Sequence, residues 1–154
     1  RDQLTINWLI SCTENPYTHW EGAYELTIHS SFLGYYDEEK GDFVARIELS
    51  ESQKSRIRTM FLGLTEIQGT DLFLIDTIAG WQDTEIRYLL VNYLKSVDSK
   101  LLYQHQNLMY HIETMTQRDD LRETLEKLRT IKFSDDLSWE EQLNAIGIEF
   151  VKLL

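Results

Sequence analysis

Between residues 4 and 12 the chain reads Leu-Thr-Ile-Asn-Trp-Leu-Ile-Ser-Cys. Leu4, Ile6, Trp8, Ile10 and Cys12 fall on one side at a period of two, against Thr5, Asn7, Leu9 and Ser11. That alternation predicts a strand. Asn15-Pro16 then marks a loop. Residues 23–29 alternate again, with Tyr24, Leu26 and Ile28 against Glu25, Thr27 and His29. Asp37-Glu38-Glu39-Lys40-Gly41 reads as a polar hairpin turn. Residues 43–49 return with Phe43, Ala45, Ile47 and Leu49 facing away from Val44, Arg46 and Glu48. Three strands with short links predict an antiparallel meander with one polar face.

From residue 50 the period becomes helical. Ser50-Glu51-Ser52-Gln53 fits a capping box, and Ile57, Met60, Phe61 and Leu64 follow as one apolar stripe. Leu72-Phe73-Leu74-Ile75, between Gly69 and Gly80, is an apolar run whose period decides nothing. Asp83 or Thr84 can cap a helix carrying Ile86, Leu89, Leu90, Tyr93, Leu94 and Val97; a strand over 84–97 stays open as the weaker reading, since alternation would leave both faces apolar. After Asp98 or Ser99, the positions Leu101, His105, Leu108, Ile112 and Met115 form a heptad seam, expected to pair within the chain. Asp119 or Asp120 caps a helix with Leu121, Leu125, Leu128 and Ile131. Ser138-Trp139-Glu140-Glu141 is a second capping box, ahead of Leu143, Ile146, Phe150, Val151 and Leu154. The expected fold class is α+β: an N-terminal antiparallel β-meander packed on helices, followed by a helical C-terminal part. We expect a single domain over 1–154, β-rich over 1–49 and mainly helical over 50–154. The alternative is a two-lobed chain with a helical bundle from about residue 98.

Charge adds a direction. The chain has 154 residues, with 26 acids against 15 Lys and Arg, for a net charge of −11. That balance disfavours nucleic acid and anionic membrane as partners, since both would repel it. Residues 1–50 hold nine acids and three bases, so over half of the excess lies in the first third. Aromatic residues interleave with those acids. Glu14, Tyr17, Trp20, Glu21, Tyr24, Glu25, Tyr35, Tyr36, Asp37, Glu38, Glu39 and Asp42 make the candidate partner-binding set. Carboxylates steer a basic protein partner, and aromatic rings supply contact area and cation–π sites.

Signs of catalysis are sparse. Cys12 is the one cysteine, so neither an internal disulfide nor a cysteine zinc site can form. It falls on an apolar phase and reads as a small hydrophobe. His19, His29, His105 and His111 lack metal-ligand spacing, and His105 reads as a hydrogen-bonded seam residue. The acid pairs Asp119-Asp120, Asp135-Asp136 and Glu140-Glu141 lie near expected helix starts, where they complement the helix dipole. No phosphate-binding loop or nucleophile elbow occurs. Lys54, Arg56 and Arg58 read as a solvated helix face. No cofactor, metal or catalytic residue is therefore expected.

No apolar run approaches the ~18 residues of a membrane span, and no signal peptide is visible. With a single cysteine, a cytoplasmic location is expected. A small acidic chain without a catalytic signature looks like bacterial immunity and inhibitor proteins that neutralise toxins; the likeness is of type, carried by no particular stretch. The leading expectation is a non-enzymatic binding protein that occludes a basic toxin or nuclease. One alternative is a small enzyme built around His19, His29, Glu21 and Glu25. The other is a structural subunit docking through its helical seams.

Overall fold

The computed structural model describes residues 3–28, 35–39, 42–44, 49–64, 67, 78, 81–132 and 136–154, with backbone alone at 27–28, 35–37 and 42–44. The chain divides into two compact units, Arg1–Ile78 and Ala79–Leu154.

In the first unit, helix α1 (Gln3–Glu14) is followed by helix α2 (His19–Ile28). A short antiparallel pair comes next, β1 (Tyr35–Asp37) with β2 (Asp42–Val44), and then helix α3 (Glu51–Leu62). The strands pair Tyr35 with Val44, Tyr36 with Phe43 and Asp37 with Asp42. Strands of three residues are too short to carry a core.

The protein is therefore helical, and the expected α+β class with its N-terminal β-meander is overturned. Residues 4–12 and 23–28 are helix, and β2 takes in only the start of the expected third strand. The remainder of that strand, at 45–48, lies outside the described residues, as does the 72–75 run with Gly69 and Gly80. The physical reason lies in α1. Its buried positions are Ile6, Leu9, Ile10 and Thr13, spaced i, i+3, i+4, i+7. Ile6 and Ile10 belong to both a period-two and a helical pattern; Leu9 and Thr13 belong only to the helical one. Leu4 and Trp8, placed in the core by the strand reading, are 75% and 63% exposed.

Helix α1 packs against both α2 and α3. Gly22 makes the α1–α2 approach possible: a Cβ there would lie 2.5 Å from the Thr13 backbone nitrogen. Ala23 and Leu26 of α2, with Ile57 and Phe61 of α3, complete the apolar interior. Gln53, 3% exposed, is the polar node between α1 and α3. Its Nε2 donates to Gln3 Oε1 at 2.6 Å and Asn7 Oδ1 at 3.0 Å, while its Oε1 accepts the Ser50 N–H at 2.9 Å. Each of its donors and its acceptor thus has a partner, as burial demands.

The second unit holds helix α4 (Thr84–Ser96), a 3-10 helix (Ser99–His105) and helix α5 (Gln106–Thr116). Helix α6 (Asp119–Glu126), a 3-10 turn (Lys127–Thr130) and helix α7 (Trp139–Leu153) follow. Asp83 caps α4, accepting from the N–H groups of Glu85 and Ile86. Ser138 and Glu141 form a complete capping box on α7. Asp119 and Asp120 sit inside the first turn of α6 rather than capping it; the cap position is Arg118. The interior is filled by Ile86, Leu90 and Leu94 of α4, Leu108, Met109, Ile112 and Met115 of α5, Leu121 and Leu125 of α6, and Leu143 and Phe150 of α7. The expected seam is broken at its start. The 3-10 stretch turns Leu101 outward, 45% exposed, and buries Leu102 in its place. Asn144 ties that stretch to α7, accepting the Tyr103 N–H at 2.8 Å and donating to Lys100 O at 2.9 Å.

Candidate functional site

The corner between α1 and α2 is built by short-range hydrogen bonds. Asn15 Oδ1 accepts the Tyr17 N–H at 2.9 Å, and Asn15 O accepts the Thr18 N–H at 3.1 Å. A helix end leaves carbonyls without intrahelical donors. Here Thr18 Oγ1 donates to Cys12 O at 2.8 Å, and His19 Nδ1 lies 2.6 Å from Thr13 O. A carbonyl only accepts, so that ring nitrogen carries the proton. The corner is thereby fixed with Tyr17 at its tip, 93% exposed.

Helix α2 turns Gly22, Ala23 and Leu26 inward, which sets Trp20 and Glu21 on its outer side. Trp20 is 53% exposed. Tyr24, one helical turn on, is half-buried and stacked on Trp20, with ring centroids 5.2 Å apart and planes within 7°. Glu21 is exposed and Glu25 half-buried. Among the described residues Glu21 has no ion-pair or hydrogen-bond partner.

Glu14 has a different fate. Arg56 of α3 grips it from both sides, Nε to Oε1 at 2.9 Å and Nη2 to Oε2 at 2.6 Å. The same Nη2 donates to Ser11 Oγ at 2.9 Å. The hydrogen bond to Glu14 raises the Arg56 pKa; desolvation opposes this, and the charge of the carboxylate adds to it. Glu14 is therefore already neutralised by a partner 42 positions along the chain.

Glu38 and Glu39 lie exposed at the turn between β1 and β2. Tyr35, Tyr36, Asp37 and Asp42 occupy that hairpin, with their side chains outside the described residues. The structure thus groups Tyr17, Trp20, Glu21 and Tyr24 along the corner and α2, and withdraws Glu14. The strand reading missed the exposed Leu4 and Trp8, an i, i+4 pair on α1. The signal that could have found them is the helical stripe at 6, 9, 10 and 13.

Other candidates offer less chemistry. Cys12 is a half-buried free thiol. His29 lies outside the described residues. His105 Nδ1 donates to Leu101 O at 3.0 Å, which leaves Nε2 to accept the Tyr93 hydroxyl at 3.1 Å. No group of His, Cys, Asp and Glu among the described residues could hold a metal. In the second unit an open groove of 220 Å³ is lined by Tyr110, Glu113, Arg122, Leu125, Glu126 and Arg129. Arg122 Nε meets Glu113 at 3.0 Å there, and the lining contains no nucleophile–base pair. The expected basic face of α3 is engaged: Lys54 pairs with Glu51 at 2.9 Å, and Arg56 with Glu14. No helix of the described residues is long and apolar enough to cross a membrane.

The chain matches no family model, no curated protein and no solved structure.

Proposed function

We propose that the chain is a non-enzymatic protein-binding module, an acidic inhibitor or immunity-type protein that occludes a basic partner such as a toxin or nuclease. The observation that supports this reading is the exposure of Tyr17 and Trp20, 93% and 53%, in one short stretch with Glu21, which has no partner among the described residues. Large aromatic side chains held in solvent forgo burial, and at interfaces such residues are the ones that supply binding energy. The excess of acids over bases in residues 1–50, nine against three, would steer a cationic surface towards them. Glu14 drops out of the contact set because Arg56 holds it. Glu21 and Glu38, both without partners among the described residues, are its free carboxylates.

Capture from the native host, followed by kinetics on the basic proteins recovered, tests the reading. Association should slow on the order of tenfold between low and high salt, and the double reversal Glu21→Lys with Glu38→Lys should slow it at low salt. An on-rate indifferent both to salt and to the reversal would sink the proposal.

A further inference from the structure

The stacked Trp20–Tyr24 pair carries a more specific consequence, resting on the partner-binding reading above. Residues i and i+4 of a helix are surface neighbours, and here their rings lie parallel. The contact restrains the indole before any partner arrives, so little side-chain freedom remains to be lost on binding. One indole face meets Tyr24, and beyond that contact Trp20 remains 53% exposed. Glu21, the next residue, is also exposed on the outer side of α2, and its carboxylate has no partner among the described residues. On α3, Lys54 is paired with Glu51, and Arg56 is occupied by Glu14 and Ser11.

We propose that Trp20 and Glu21 form a seat for an arginine side chain of the basic partner. Its guanidinium stacks flat on the exposed indole surface, while its N–H groups donate to the Glu21 carboxylate. Both contacts exploit the planar, forked cation. A lysine ammonium is a compact, strongly hydrated charge that can approach the ring or the carboxylate but matches neither in shape. The seat therefore selects arginine over lysine at equal charge.

The test uses the full chain and two unstructured Gly/Ser peptides, one bearing arginines and the other the same number of lysines. Binding is followed at low salt through the indole N–H resonance of Trp20, assigned with W20F. The arginine peptide should shift that resonance and bind about threefold to tenfold tighter than the lysine peptide. W20L, titrated through the backbone amide resonances of α2, keeps apolar bulk but has no π face and should abolish the preference; E21Q should weaken the arginine peptide more than the lysine one. Circular dichroism of each variant verifies that the helices are intact. Equal affinity for the two peptides, with the Trp20 resonance unmoved, would overturn the seat while leaving a charge-steered acidic surface standing. Absence of binding by either peptide, in a chain that still captures basic proteins in a salt-dependent way, would also overturn the seat alone. Loss of both kinds of binding would remove the seat and the partner-binding reading together.

Discussion

A methyl group at position 22 has nowhere to go. Its nearest neighbours would be Thr13 N at 2.5 Å, Thr13 Oγ1 at 2.7 Å and the Cys12 carbonyl carbon at 2.8 Å; two of the three are backbone, so two helices must separate to admit it. Gly22→Ala gains up to about 1 kcal/mol of helix propensity but forces overpacking of about 1–3 kcal/mol, and should lower the urea midpoint of the first unit. Gln53 makes the complementary case. Gln53→Leu keeps the bulk but strips partners from Gln3 Oε1, Asn7 Oδ1 and the Ser50 N–H, and should destabilise by about 1–3 kcal/mol in the same assay. Asp120 gives a pH dependence. Its hydrogen bond with Arg118 holds its carboxyl below the usual aspartate range, although both groups are exposed. A lowered folded pKa contributes stability above the unfolded pKa, and that contribution is lost as pH falls through the folded one. Asp120→Asn should therefore flatten the acid limb of a stability–pH curve and leave a small, salt-sensitive difference near neutrality.

At the scale of elements, the two capping boxes were legible because their signal is local. Ser50 with Gln53, and Ser138 with Glu141, each make both reciprocal bonds. Ser138→Ala should cost about 1 kcal/mol, read as a lower thermal midpoint of α7 and its neighbours. The helices α4 to α7 were legible in the main because stripes at helical spacing outweigh alternation, although a strand stayed open over 84–97 and the start of the seam is 3-10 helix. Helix α1 was not, because Leu4, Ile6, Trp8, Ile10 and Cys12 satisfy alternation over the same residues. What decided the matter was tertiary: α1 buries its 6, 9, 10 and 13 face and packs on α2 and α3. Thr13 can join that face because its hydroxyl is satisfied locally, donating to Leu9 O at 2.8 Å. The candidate site divides in the same way. Trp20, Glu21 and Tyr24 share one helix, and Tyr17 lies in the turn just before it, so closeness in sequence gathers them. The loss of Glu14 to Arg56 depends on how α1 meets α3, which no local pattern encodes.

For the whole molecule, the division after Ile78 reassigns the charge. Residues 1–78 and 79–154 each hold 13 acids, but the first stretch has six Lys and Arg and the second nine. The asymmetry is a shortage of bases in the first unit rather than a surplus of acids. In the second unit carboxylates meet cations repeatedly: Glu113 and Asp119 with Arg122, Asp120 with Arg118, Glu149 with Lys127. On the proposed reading, electrostatic steering would therefore fall to the first unit, which also holds the exposed aromatic residues of the proposed site. The second unit has an apolar interior of its own, drawn from α4, α5, α6 and α7, so it meets the requirement for folding alone. Expressed by itself, 79–154 should show a cooperative, helical thermal transition by circular dichroism and should bind neither the arginine peptide nor the basic partner. A non-cooperative melt would show that its interior needs the N-terminal residues. Retained binding by this fragment would place recognition among its own paired charges, against everything inferred from Tyr17, Trp20 and Glu21.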